Sequence, residues 1–195
     1  MSVALLASLA WLTAFIAGRA TGNLYPFLAS TAGLLLIALL ATNPALRQRC
    51  KGGPVDVVVG VVVGVASLAF TYGAFPVVVG LMPSVLDEVT ALYALAAVTP
   101  SSLALVFIVI VAEEVTWRGA MLEALRERLG VAAVVVAAIP YAIAQSGGGS
   151  FILPVAAIGF GVVWGGLAYW RKSLVAPLIA HALWTPIVLG LWPLV

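Results

Sequence analysis

Long apolar segments alternate along this chain with short polar breaks that are rich in proline and glycine. A helix needs about 20 apolar residues to cross the hydrocarbon core of a bilayer. On this criterion the pattern predicts about seven membrane-spanning helices, at residues 3–18, 27–41, 55–72, 100–129, 131–145, 151–170 and 174–194. A shorter segment, residues 86–98, is predicted to form a helix at the membrane interface.

Prolines and glycines mark the expected helix ends. Pro76 and Pro83 interrupt the apolar pattern, so we expect the third helix to end before them. Thr99 is the expected cap of the fourth helix, Pro100 its first residue and Gly130 its stop. A helix of about 30 residues measures roughly 45 Å, which exceeds the hydrocarbon core, so the charged end of this helix is expected in water.

Composition indicates that these helices lie in a membrane. The chain is 64% hydrophobic and 8% charged, whereas a soluble domain carries about 25% charged residues. We therefore predict an all-α, polytopic transmembrane bundle that forms one domain over residues 1–195. The first apolar segment follows no basic region and is expected to remain as a membrane helix rather than be cleaved as a signal peptide. The short chain, rich in alanine and valine, suggests a bacterial inner membrane.

The distribution of lysine and arginine predicts the orientation. A cytoplasmic N-terminus puts seven basic residues inside, in the loop at 47–51, at the end of the fourth helix and at residues 171–172. Arg19 is then left outside. Cytoplasmic loops carry the excess of basic residues, so we predict this orientation.

The net charge of +2 comes with no basic patch for a nucleic-acid partner. The chain has a single cysteine, Cys50, which excludes an internal disulfide.

Three ionisable residues within the fourth helix are the first candidates for chemistry. Glu113, Glu114 and Arg118 follow a long apolar run, and a charge at this depth costs roughly 2.5–3.5 kcal/mol even on a lenient scale. Glu114 and Arg118 have the favourable i, i+4 order for an ion pair. Adjacent helical residues point about 100° apart, so we expect Arg118 to neutralise Glu114 and Glu113 to face elsewhere. A freed carboxylate in an apolar cavity is a suitable general base.

Polar residues on two later helices complete the candidate set. Gln145 ends the fifth segment, and His181, the single histidine, lies in the seventh with Thr185 four residues further on. An intramembrane histidine is a functional candidate by default. Structural roles remain open for each: the Glu114–Arg118 pair as a lock for the bundle, His181 as a packing residue and Gln145 as an interhelical hydrogen bonder.

The pattern Glu-Glu-x-x-x-Arg at 113–118 resembles the first motif of the CPBP family of intramembrane glutamic proteases. That family includes the type II CAAX prenyl endopeptidases and bacterial "Abi" self-immunity proteins. His181 to Thr185 resembles the third motif, with Thr185 where asparagine is common. Residues 141–145 match half of the second motif, Phe-x-x-x-His, because Tyr141 supplies the aromatic and Gln145 replaces the histidine. The resemblance covers about residues 100–190, the catalytic core of the family.

The resemblance implies an intramembrane endopeptidase that needs no cofactor. Its substrate would be a membrane-anchored protein or peptide, cut near its C-terminal segment, with C-terminal sorting tails as the preferred class. By the same resemblance Glu113 would activate a water, and His181 and Thr185 would stabilise the tetrahedral intermediate. Gln145 would position the water but, unlike histidine, would not accept its proton. Glu114 and Arg118 complete the implied set.

Three alternatives remain at this point. Glu113, Glu114 and His181 are metal-ligand types, so a metal-dependent form of the same protease is one of them. A catalytically weakened or inactive membrane scaffold or immunity protein is another, and the Gln145 replacement favours it. A transporter is the least favoured, since the two halves of the chain show no evident inverted repeat.

Overall fold

The computed structural model describes residues 2–195, with side chains from residue 5 onward. Its elements are helices and short turns, and no strand occurs in this range. The α-helices are α1 (Ser2–Thr21), α2 (Leu24–Thr42), α3 (Pro44–Arg49), α4 (Pro54–Leu81), α5 (Ser84–Ala96), α6 (Leu103–Glu113), α7 (Leu122–Leu129), α8 (Ala133–Gln145), α9 (Ile152–Arg171) and α10 (Val175–Pro186). A π-helix, Glu114–Met121, joins α6 to α7. The predicted all-α membrane bundle is confirmed.

Four helical stretches are long and apolar enough to cross a bilayer. They are Leu24–Thr42, Pro54–Leu81, the continuous run Leu103–Gly148 and Ile152–Arg171. Two shorter apolar helices, Leu5–Thr21 and Val175–Leu191, pack with them. The protein is therefore an integral membrane protein, and the figure of about seven spans stays a prediction.

Two predicted helix ends were wrong. Pro76 lies inside α4, which continues to Leu81, because neighbouring helices and local adjustments re-satisfy the backbone groups that a proline frees within a membrane. The fourth helix begins at Leu103 rather than at Pro100. Thr99 accepts a hydrogen bond from the Ser102 backbone N–H at 3.3 Å, so its hydroxyl stabilises a turn before the helix instead of capping it.

The basic segments meet at one end of the bundle. The Arg49 guanidinium lies 2.9 Å from Glu123 in α7 and donates to the Ala168 carbonyl in α9 at 3.2 Å. At the same end Arg171 pairs with Asp56 at 2.8 Å, where α9 ends and α4 begins. We call this the basic end. α5 and the turn between α8 and α9 lie at the opposite end.

Glycines bring the helices of the bundle into close contact. A Cβ atom at Gly60 of α4 would lie 2.6 Å from the Ala176 carbonyl oxygen, and one at Gly64 would lie 3.1 Å from the Ala180 Cα. Both contacts are on α10, and small residues let membrane helices approach in this way. The position of α10 in the bundle is thereby fixed against α4.

Candidate active site

The charged stretch of the sequence forms a π-helix in the middle of the bundle. Glu114 begins it and Arg118 is four residues further on. A π-helix bonds each N–H to the carbonyl five residues back and occurs mostly as single turns at functional sites. Glu113, at the end of α6, is 4% exposed, Glu114 is 1% exposed and Arg118 is 2% exposed. All three ionisable groups thus point into the protein.

Arg118 pairs with Glu114, as the spacing predicts. Its Nη1 atom lies 3.1 Å from Glu114 Oε1. Neither Nη1 nor Nη2 makes an aligned hydrogen bond with a described side chain or backbone group, so the pair is held by charge and packing. The guanidinium lies over the Tyr141 ring at 4.5 Å and near the Trp164 ring at 5.5 Å, which are favourable cation–π positions.

His181 contacts both glutamates. Its Nδ1 atom lies 2.8 Å from Glu114 Oε1, and its Nε2 atom lies 3.7 Å from Glu113 Oε2. The expectation that Glu113 would face away from the partners of Glu114 was therefore wrong. The imidazole presents a nitrogen on each of two edges, so each carboxylate lies against a different nitrogen.

Two side chains of α8 hold the Glu113 carboxylate. Gln145 Nε2 donates to Glu113 Oε1 at 2.7 Å, and Tyr141 Oη donates to Glu113 Oε2 at 3.3 Å. The separation of 3.7 Å between Glu113 Oε2 and His181 Nε2 is too long for a direct hydrogen bond. Both side chains line the adjoining cavity, from which a water can reach each of them.

The cluster contains acidic and basic side chains in contact. Glu113 and Glu114 are neighbouring carboxyl groups, and the Arg118 guanidinium pairs with Glu114. An unpaired charge is costly in a low-dielectric interior, so this pair stabilises the buried cluster. The contact of His181 Nδ1 with Glu114 Oε1 at 2.8 Å holds the ring so that Nε2 faces Glu113.

A cavity of about 110 Å³ adjoins the cluster. Its polar lining comes mainly from Glu113, Gln145, His181 and Thr185, and its aromatic walls are Phe160, Trp164 and Trp184. The structure thus brings four of the six candidate residues to one cavity and places Glu114 and Arg118 behind His181. The volume leaves room for a few waters.

An apolar groove of about 780 Å³ runs between α4, α5, α9 and α10. Phe160 and Trp184 line both the groove and the cavity beside Glu113. Trp184 Nε1 also donates to Thr71 Oγ1 of α4 at 2.9 Å. These aromatic side chains therefore form the wall between the two spaces.

Two residues of the site were missed by sequence reasoning. Trp164 stacks on His181, with ring centroids 4.3 Å apart and an interplanar angle of 28°, but a tryptophan in an apolar helix carries no signal for this role. Arg49 donates to the Arg118 and Gly119 carbonyls at 3.3 and 3.5 Å. In the sequence it counts as one more basic loop residue, and its distance of 69 positions from Arg118 hides the contact.

The described residues contain no group of three or more His, Cys, Asp or Glu side chains arranged to hold a metal ion. Glu113, Glu114 and His181 contact one another instead. A metal-dependent form would need these side chains to move apart around the ion.

Comparison with known proteins supports the motif assignment. Residues 95–187 match the family described as "Rce1-like: Type II CAAX prenyl endopeptidase Rce1-like". No curated protein and no solved structure matches the chain. The matched segment contains all the candidate site residues, from Glu113 to Thr185, and confirms the resemblance found in the motifs. Over this segment, just under half of its length, the chain is similar to the Rce1-like type II CAAX prenyl endopeptidases, a family of membrane proteases.

Proposed function

We propose that this protein is an intramembrane endopeptidase of the glutamic type. It hydrolyses a peptide bond near the C-terminal segment of a membrane-associated protein. The observation that carries the proposal is the opposed pair of Glu113 Oε2 and His181 Nε2, 3.7 Å apart beside a cavity. One transmembrane domain, residues 1–195, holds this pair, and the catalytic core spans about residues 100–190.

Glu113 acts as the general base. A water in the cavity beside Glu113 and His181 gives its proton to the Glu113 carboxylate as its oxygen attacks the scissile carbonyl carbon. The carbonyl oxygen becomes an oxyanion, which accepts hydrogen bonds from His181 Nε2–H and the Thr185 hydroxyl. Glu113 then passes the proton to the leaving amine, the C–N bond breaks, and a carboxylic acid and an amine are released.

The remaining residues position these groups. Gln145 holds Glu113 Oε1 at 2.7 Å and orients the carboxylate, but as an amide it takes no proton from the water. Glu114 fixes the His181 ring through Nδ1, and Arg118 balances the charge of Glu114. The proton transfer therefore falls to Glu113.

The substrate is a protein anchored in the bilayer, for which C-terminal sorting tails are our preferred class. The apolar groove beside the cavity suits the apolar part of such a tail, because it shares the Phe160 and Trp184 wall with the site. We place the protein in a bacterial inner membrane with its N-terminus in the cytoplasm, as the basic residues favour.

The test is cleavage of tail-anchored reporter proteins by the purified protein in proteoliposomes. Glu113→Gln preserves the shape of the side chain and should abolish cleavage. Cleavage at the wild-type rate by this variant would overturn the proposal. A parallel assay with a chelator distinguishes the metal-dependent form, whose activity would be lost on chelation and restored by the metal.

A membrane scaffold or immunity protein without activity is a second candidate. Gln145 favours it, because this residue stands where the motif has histidine. The Gln145→His variant tests this directly. If neither the wild type nor Gln145→His cleaves any tail in the reporter panel, the scaffold function becomes the better explanation.

A further inference from the structure

The catalytic cavity extends away from the basic end of the bundle. Leu24 and Tyr25 at the start of α2, Leu153 at the start of α9 and Leu189 just beyond α10 all line it. Each of these positions lies at the end of its helix that is opposite the basic loops. Tyr25, Leu153 and Leu189 are partly exposed, whereas Leu24, Glu113 and His181 are buried. The cavity therefore has partly exposed lining residues at the end that lacks the basic loops.

The basic end of the site is closed. Trp117 and Arg118 are each 2% exposed, and Leu46 of α3 packs against Gly119 so closely that an added Cβ would collide with the Leu46 Cδ1 atom. Arg49 adds hydrogen bonds to the Arg118 and Gly119 carbonyls. Backbone and side chains thus fill the space between the site and this face of the bundle.

Lysine and arginine are distributed very unequally between the two ends. Seven of the nine lie in the loop at 47–51, in α7 after Glu123 or at residues 171–172, all at the basic end. Arg19 lies at the other end, against Gly149, as does Glu88, which accepts a hydrogen bond from Ser150. An excess of basic residues marks the cytoplasmic side of a membrane protein.

We infer that the active site opens toward the extracytoplasmic side of the membrane and acts on proteins that have already been translocated. This inference rests on the proposed function for the cleavage itself. The substrate class is an exported protein whose scissile bond lies at the outer end of its apolar anchor. A protein held at the cytoplasmic face by a lipid would meet the closed end of the site.

The sidedness can be measured without any activity. Cys50 is the single cysteine, is exposed and lies at the basic end. Ser146 is exposed and directly follows Gln145 at the opposite end, so Ser146→Cys in a Cys50→Ser background is a matched reporter. With a membrane-impermeant maleimide, Ser146→Cys should react in intact cells and Cys50 only after permeabilisation. The reverse pattern would overturn the inference.

A pair of reporter substrates tests the consequence for cleavage. Both carry the same cleavage segment, anchored so that the scissile bond lies outside in one and inside in the other, and Glu113→Gln serves as the blank. Cleavage should be at least tenfold faster for the outside reporter, and faster cleavage of the inside reporter would overturn the inference. If neither is cleaved while labelling shows the expected sides, the proposed protease function fails but the sidedness stands.

Discussion

Replacing the two neighbouring glutamates by glutamine, one at a time, should affect folding stability very differently. Glu114 is the ion-pair partner of Arg118 at 3.1 Å and contacts His181 at 2.8 Å. Glu114→Gln leaves the guanidinium buried without a counter-charge, which typically costs about 3–5 kcal/mol of unfolding free energy. Glu113 accepts hydrogen bonds from two neutral groups, Gln145 and Tyr141. A glutamine oxygen can still accept from Gln145, and its amide can donate to the Tyr141 hydroxyl, so Glu113→Gln should cost about 1 kcal/mol or less.

Both substitutions should nevertheless reduce cleavage. Glu113→Gln removes the proposed base and should leave no measurable rate. Glu114→Gln leaves His181 without its anionic partner, and the loss of ring orientation should lower the rate roughly 10²- to 10⁴-fold. Stability and activity are therefore expected to separate at these two adjacent positions.

Reversible unfolding in mixed detergent micelles, followed by circular dichroism, measures the free energies. Glu123→Gln is the matched control, since the Glu123 pair with Arg49 is 47% exposed on the glutamate side and an exposed pair contributes about 0–1 kcal/mol. Equal destabilisation by Glu113→Gln and Glu114→Gln would refute the division into a base and a structural pair. An unchanged free energy in Glu114→Gln would also refute it.

Three further substitutions test other parts of the site. Gln145→His supplies a second proton acceptor and should raise the cleavage rate by about 10²-fold, measured with the same reporters; an unchanged or lower rate would contradict the view that the missing acceptor limits the reaction. Gly119→Ala places a Cβ against Leu46 Cδ1, which is buried and has to shift, and should lower the unfolding free energy by about 1–3 kcal/mol. Arg49→Met should lower kcat with little change in KM, because the Arg49 guanidinium contacts the backbone of the π-helix. Arg47 is an exposed neighbour that bonds to α2 instead, so Arg47→Met is the control and should change neither kcat nor KM.

Hydropathy predicted the membrane bundle because the length of an apolar run is a property of the sequence alone. The residues that were expected to mark helix ends predicted those ends less reliably. Pro76 is accommodated within α4, and the Thr99 hydroxyl stabilises a turn instead of a helix start. Both outcomes depend on how neighbouring backbone groups are satisfied, which a single-sequence pattern does not contain.

The candidate residues themselves were visible in the sequence, because ionisable groups are rare at membrane depth. Their geometry was not. The π-helix at Glu114–Met121 shifts the hydrogen bonds by one residue, and nothing in the periodicity indicates that shift. The double contact of His181 with Glu113 and Glu114 depends on the depth at which α10 packs, and Gly60 and Gly64 of α4 set that depth.

Orientation and access are linked through the same residues at the basic end. In the proposed orientation Arg49 contributes to the positive charge that favours the cytoplasm for this end, and its guanidinium also bonds the Arg118 and Gly119 carbonyls beside the site. Its backbone carbonyl accepts a hydrogen bond from Leu174 N–H at 2.9 Å, just before α10. Removing basic residues to invert the protein would therefore also disturb the helices that hold Glu114 and His181. In the proposed topology, the charge and the contacts of Arg49 at the basic end therefore help to determine both the orientation of the protein and the side on which the cavity is closed.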